Sequence, residues 1–337
     1  MKEKEKGLTL IKLILFVFIV LLLIILLLKY YYVLLGKFEI IYKICTHQIN
    51  LEEQLQENEK ILGTTDVTGE GIIINILDGK DLIHQEDLII LIDELKNSGS
   101  QAISINEQRI VNSTYMYCDG AVILIDGVKI GNPFTIKAIG NNEVIYGAIT
   151  RNKGYLELLK KDGLIVNIEK KENISILKTN KKELYGFKNK RSNLEKLFES
   201  NQLTGKTDMF GKGIEIVIHE NSAKLTALSF LQIINDLNSA EVRAISINNE
   251  RITNMTDIMD ISNKFVLLNS IPINSPYVID VIGDQNKIEE VLFFNNSYIT
   301  KIMNSGNNVD IYRKNYLKVE KYSQKRDSNK LLVNYLE

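Results

Sequence analysis

Cysteine is nearly absent: the chain has two, Cys45 and Cys118. They fall in different segments with no Cys-x-x-Cys or Cys/His spacing, which excludes a disulfide framework and a zinc site. Cys118 reads as a small buried hydrophobe on a strand, and Cys45 could crosslink a dimer only if oxidised. Three histidines, His47, His84 and His219, sit at unrelated positions, so no metal is expected and each reads as a surface or strand-end residue. An excess of positive charge is also missing. Lys and Arg total 41 against 42 Asp and Glu, for a formal net charge of −1. Without a broad basic field the chain is not expected to bind nucleic acid. No Gly-x-x-x-x-Gly-Lys run occurs, and Gly69-Glu70-Gly71 and Gly211-Lys212-Gly213 lack a third glycine and a directly following helix, so no cofactor is implied. The absence of tryptophan, the 3 prolines and the many Ile, Asn and Lys reflect the source genome's composition rather than function.

What the chain does have is apolar surface in quantity: 45% of its 337 residues are hydrophobic and 25% charged, enough for two modest globular units. Leu8 to Leu35 is apolar apart from Lys12, Lys29 and a few small or tyrosine residues, and Leu13 to Leu28 carries no polar side chain. At ~1.5 Å per residue this stretch crosses a hydrocarbon core of ~30 Å. A cleaved signal peptide wants an apolar core of ~7 to 15 residues followed by small residues. Here Lys29-Tyr30-Tyr31-Tyr32 follows instead, a sequence suited to an interfacial aromatic belt. The expectation is an uncleaved single-pass helix over 8–35 in a cell membrane. Lysines flank it on both sides, and the short 1–7 tail favours a cytoplasmic N-terminus with an extracytoplasmic body.

Residues 36–63 continue as a stalk. Ile41, Ile44, Gln48, Leu51, Leu55, Asn58 and Leu62 follow at steps of 3, 4, 3, 4, 3 and 4, an a/d seam. Two readings fit it. One is a short coiled coil that makes a homodimer, with Gln48 and Asn58 fixing register; the other is a single amphipathic helix packing on its own domain.

The chain then repeats itself. Ala102-Ile103-Ser104-Ile105-Asn106-Glu107-Gln108-Arg109-Ile110 returns at an offset of 142 as Ala244-Ile245-Ser246-Ile247-Asn248-Asn249-Glu250-Arg251-Ile252. Pro133-Phe134-Thr135-Ile136 returns at an offset of 143 as Pro276-Tyr277-Val278-Ile279. Two long copies mean tandem domains, 64–178 and 204–322, joined by a linker at 179–203 that is weakly helical from Ser192 to Phe198, and followed by a flexible tail at 323–337. In the first copy the pattern predicts a strand Ile72–Leu77, a helix Gln85–Asn97 and strands Ala102–Asn106, Arg109–Tyr117, Ala121–Ile125 and Phe134–Ile139. It continues with helices Asn142–Thr150 and Tyr155–Lys161 and paired strands around Ile165–Ile168 and Ile174–Leu177. The fold class expected is α+β, a mixed sheet with helices packed on it.

Gly-x-Gly-Ile before the first strand, Asp87-Leu88, Glu94-Leu95, the Ala102 to Ile110 run, Cys118 and the Pro133 to Gly140 run together resemble the bacterial domain-of-unknown-function family numbered 881, also called YlxW-like. The likeness is close over 64–178 and looser over 204–320; Glu241 stands where the first copy has Gly99, and Cys118 has no cysteine counterpart. The resemblance implies a bacterial envelope protein, similar proteins often lying among cell-division or sporulation genes, and it supplies no accepted enzymatic activity.

One element could bind a ligand. Ser104, Asn106 and Arg109, with Ser246, Asn248 and Arg251, place arginine plus amide at matching positions, a pairing able to hold a carboxylate or phosphate. The competing reading is turn chemistry, since asparagine tolerates the positive φ of a tight hairpin and an arginine pairs with a nearby acid. No Ser/His/Asp set or carboxylate dyad recurs in both copies, so no enzyme is expected. The function expected is an extracytoplasmic interaction or scaffold module, with envelope or division proteins and membrane lipid as partners. The alternative is a small-molecule-sensing ectodomain whose site lies near these six residues or between the two copies.

Overall fold

The computed structural model describes residues 2–120, 122–181, 192–261 and 265–322, without side chains for 2–15 and 40. The flexible tail expected at 323–337 and the middle of the linker, 182–191, lie outside the described residues, as does Ala121. The chain divides into two units, Met1–Gln54 and Leu55–Glu337.

The described residues of the first unit, 2–54, are helical and form part of α1 (Lys2–Ile61). Phe16 to Leu35 exposes its apolar side chains, and the helix is long and apolar enough to cross a membrane. In this unit the seam residues Ile41 and Ile44 are 56% and 60% exposed.

The second unit contains both copies. The first runs β1 (Val67–Leu77), α2 (Gln85–Asn97), β2 (Ala102–Ile105), β3 (Gln108–Ile110), β4 (Met116–Asp119), β5 (Val122–Ile125), β6 (Val128–Ile130), β7 (Phe134–Ile139), α3 (Asn142–Ile149), α4 (Tyr155–Lys161) and β8 (Ile165–Ile176). Then come α5 (Asn193–Leu203), β9 (Met209–His219), α6 (Ala227–Ser239), β10 (Ala244–Ile247), β11 (Glu250–Arg251), β12 (Ile258–Ile261), β13 (Phe265–Leu268), β14 (Ile271–Ile273), β15 (Tyr277–Ile282), α7 (Gln285–Leu292), α8 (Tyr298–Asn304) and β16 (Asn308–Val319). Each copy builds a five-stranded sheet, ordered β3-β2-β7-β1-β8 and β11-β10-β15-β9-β16, and a separate three-stranded meander, β4-β5-β6 and β12-β13-β14.

The α+β class holds, but each described strand pairing is antiparallel, so the sheets are not mixed. Alternation makes the core: Ile72, Ile74 and Ile76 point to one face of β1 and pack with Leu88, Leu91 and Leu95 of α2, all fully buried. The strand expected over Arg109–Tyr117 is broken. Val111 N–H donates to Thr114 Oγ1 at 2.9 Å, a local side-chain bond that turns the chain out of the sheet and into the meander. The two short strands expected around Ile165 and Ile174 are one, β8, whose exposed Lys170, Lys171, Glu172 and Asn173 suit the solvated edge of a sheet.

The paired Gly-x-Gly elements also find their reason. The β1–β8 ladder shifts register between Gly69 and Gly71, and β9–β16 shifts opposite Gly211 and Gly213. A Cβ at Gly71 would lie 1.9 Å from the Ala138 carbonyl oxygen, and one at Gly213 would lie 1.8 Å from that of Val281. Only glycine lets the neighbouring strand close over the bulge. Replacing Gly213 by alanine is expected to push β9 from β15 and cost about 1–3 kcal/mol. A chemical-denaturation curve superimposable on that of the parent chain would contradict this.

The copies meet through equivalent surfaces. Asn58, near the end of α1, donates through Nδ2 to Ser200 Oγ at 2.8 Å and Asn201 Oδ1 at 2.7 Å, and Ser200 is its own counterpart 142 residues on. Contact between equivalent residues marks an isologous, two-fold-like joint within one chain. Asn58 therefore sets register inside its own chain rather than between protomers, because its amide is fully buried against α5. Leu62 is likewise buried, packing with Leu203, Met209 and Leu317 of the second copy. The end of the seam thus follows the single-helix reading, and α5 is the second copy's version of the same helix.

Candidate functional site

The six arginine, asparagine and serine positions build hairpins and helix ends. Asn106 and Glu107 have φ of 43° and 64°, and Asn248 and Asn249 have 47° and 69°, the two-residue turns that asparagine favours. Asn106 Oδ1 accepts from Thr135 N at 2.7 Å while Nδ2 donates to the carbonyls of Gly131 and Pro133, both at 3.1 Å. Asn248 does the same with Val278 N at 2.8 Å and the Asn274 carbonyl at 2.9 Å. Arg109 and Arg251 are buried and each donates through Nη2 to a carbonyl at the end of the preceding helix, Lys60 at 3.2 Å and Gln202 at 2.9 Å. Gly63 and Gly205, at φ of 69° and 79°, bond the same two carbonyls, so glycine and guanidinium together close the negative end of each helix. Burial pushes the Arg251 guanidinium down to about 10, with Asp208 opposing the fall. Ser104 and Ser246 are buried beside them in β2 and β10. None of the six lines the cleft between the copies.

That joint is read by side chains from backbone atoms. On α6, Asn235 Oδ1 accepts the Met116 N–H at 2.7 Å and Nδ2 donates to the Met116 carbonyl at 3.0 Å. Asn238 Nδ2 donates to the carbonyls of Asn112 at 2.8 Å and Thr114 at 3.1 Å. On α2 the counterpart of Asn235 is Asp93, whose Oδ1 accepts the Ile258 N–H at 3.3 Å while Oδ2 accepts from Asn97 Nδ2 at 3.2 Å. Burial pushes the Asp93 carboxyl up to about 8; Lys96 opposes this, and Asp257 and Glu94 add to it. Both oxygens of Asp93 accept, where Asn235 accepts through Oδ1 and donates through Nδ2.

Beside the joint lies a cleft of about 1180 Å³. The first copy contributes the start of α2 and β4, including His84, Tyr117 and Cys118; the second contributes α6, α7, α8 and the α7–α8 connection, including Asp236, Phe294 and Tyr298. Cys118 is exposed here, not buried: its N–H donates to Gln85 Oε1 at 2.7 Å and its Sγ accepts the Gln85 N–H at 3.4 Å. In the second copy Asp260 takes that place, accepting the Ala227 N–H at 2.9 Å. Cys118 thus receives an N–H of the first helical turn, as Asp260 does. His47, His84 and His219 are exposed, as expected.

The two copies differ sharply at one pair of positions. In the first, Arg151 Nη2 bonds Glu94 Oε1 at 2.5 Å and its Nη1 donates to the Ala148 carbonyl at 2.8 Å. In the second, Asp236 stands 142 residues after Glu94 and Phe294 stands 143 residues after Arg151. Asp236 is 8% exposed and accepts the Tyr298 N–H at 2.7 Å; it forms no ion pair among the described residues. Burial raises its carboxyl, against the Tyr298 N–H, Asn235 and Lys301. Line-by-line comparison of the copies would have flagged this position, an acid kept and its arginine lost.

The Asp93 carboxyl makes stability depend on pH. The folded chain keeps a proton that the unfolded chain releases above the ordinary value of 3.8, so stability falls as pH rises from about 4 towards 8 and the loss is complete beyond that. Asp93→Asn should melt higher than the parent chain at pH 8, with the gap closing towards pH 4. Parallel melting-temperature profiles for the two proteins would refute this assignment.

Comparison with known proteins agrees with the repeat. The bacterial protein of unknown function family DUF881 matches residues 54–187 and again 196–331. The chain is 29% identical over 143 residues to UPF0749 protein YlxW and 30% identical over 146 residues to UPF0749 protein YlxX, both of Bacillus subtilis (strain 168). Those matches cover 39% and 40% of this chain, and the chain spans 62% of the length of either relative. A crystal structure of an uncharacterized conserved protein from Mycobacterium tuberculosis is 22% identical, with 40% of this chain and 96% of that chain covered and a TM-score of 0.37. With two tandem matches taking in most of its length, the chain belongs to the bacterial DUF881 family and carries its domain twice.

Proposed function

We propose that this protein is a single-pass envelope protein whose duplicated body is a non-enzymatic interaction or scaffold module, with the N-terminus in the cytoplasm and the body outside. Its setting is cell division or sporulation, and its partners are envelope or division proteins and membrane lipid. The observation that carries the reading is how the shared residues are used. What the two copies keep in common serves turns, helix ends and the joint between them, as Asn106, Arg109, Asn248 and Arg251 do. Such a body offers a fixed surface on an apolar helix rather than a reaction centre. Homodimerisation through the stalk rests on the segment before Leu55, where Ile41, Ile44 and Ile49 are exposed.

Orientation is testable without mutation, because Cys45 and Cys118 are both exposed. A membrane-impermeant maleimide added to intact cells is expected to label the chain; labelling only after lysis would place the body in the cytoplasm and remove the envelope reading. Light scattering of the detergent-solubilised full chain should give twice the chain mass, and a monomer at high concentration would discard the stalk dimer.

The cleft favours one further reading, a ligand-sensing ectodomain with its site between the copies. A ligand present at about 100 times its dissociation constant adds ~2.7 kcal/mol of stability. A thermal-shift screen of envelope metabolites should therefore find a stabilising compound, and a screen without one would count against sensing.

A further inference from the structure

We propose that the cleft between the two copies is a guanidinium-binding site, taking the arginine head group that the second copy lacks. The inference supplies a ligand class to the sensing reading and depends on the cleft alone. In the first copy a guanidinium is held by two acceptors, the Glu94 carboxylate and the Ala148 carbonyl. Both have counterparts in the second copy, Asp236 and Val291, and both of these line the cleft. The internal occupant is gone, since Phe294 stands at the position of Arg151 and is 65% exposed. What is left is a nearly buried carboxylate facing a cleft of about 1180 Å³, room for an entire ligand rather than one side chain.

The surroundings fit a cation with an apolar stem. The cleft walls carry Glu86, Asp87, Glu241 and Glu290 besides Asp236, against Lys287 and Lys301. Lys287 is engaged with Glu241 at 2.6 Å, and Lys301 Nζ lies 5.8 Å from the centroid of the Tyr298 ring. Tyr117, Phe294 and Tyr298 supply ring faces on which a planar guanidinium stacks. A bidentate donor suits the paired acceptors better than the single point charge of an ammonium. The arginine could arrive as the free amino acid or within a peptide, and both carry the same head group.

The test titrates the full chain in detergent with free arginine, with N-acetyl-arginine methylamide as the peptide mimic, and with the citrulline analogue of each. Citrulline keeps the shape and removes the charge. Saturable heat is expected with at least one arginine probe, and whichever binds identifies the source. The citrulline analogues should bind roughly tenfold more weakly or worse. Asp236→Asn should weaken the arginine probe to a similar degree. Phe294→Arg should restore the internal pair, abolishing binding while leaving the melting temperature equal to or above that of the parent chain, so loss of binding there is not loss of fold. Equal affinity for arginine and citrulline probes, undiminished binding to Phe294→Arg, or no binding of either arginine probe would overturn the proposal. A thermal shift with some other metabolite would then leave the sensing reading standing without it.

Discussion

Everything in the body of this protein hangs on how α2 and α6 read each other's copy. Asn235 takes the N–H and the carbonyl of Met116 together, as a strand neighbour would, and Asn238 takes two more carbonyls from the same stretch. Buried backbone groups must be bonded, so a joint that satisfies them with fixed side chains has one register and resists sliding. Asn58 adds side-chain to side-chain bonds to Ser200 and Asn201 where the leading helices of the two copies meet. The copies are therefore one body, with the cleft as a consequence of where the joint ends.

Local chemistry was legible in the sequence wherever a residue's role was decided by its neighbours in the chain. The alternation of Ile72, Ile74 and Ile76, the apolar face of α2 and the asparagine turns at Asn106 and Asn248 all appear as expected. The break after Ile110 was not legible, because Thr114 Oγ1 competes for a backbone N–H that the hydrophobic run alone assigns to a strand. Nor was β8, whose polar middle reads as a loop until an edge position explains it.

The candidate site illustrates the limit more clearly. The charge of Arg109 and Arg251 points to a ligand, yet both bond backbone carbonyls 49 residues earlier, a partner that no side-chain pattern announces. Cys118 reads as a core residue from its strand but stands at the surface, where its Sγ receives an N–H at the start of α2. The acid and phenylalanine pair of the second copy carries no motif at all. It becomes visible only when each position is set beside its counterpart.

Covalent tandem arrangement has a consequence for what such a joint can become. In a homodimer of single domains, any substitution at a two-fold interface is made in both halves at once, so a change useful on one side is imposed on the other. Here Asp93 corresponds to Asn235 and Arg151 to Phe294, each changed in one copy alone. One half can keep its pocket filled and hold the assembly together while the other is free to vary, a division of labour that an encoded pair permits and a symmetric pair forbids.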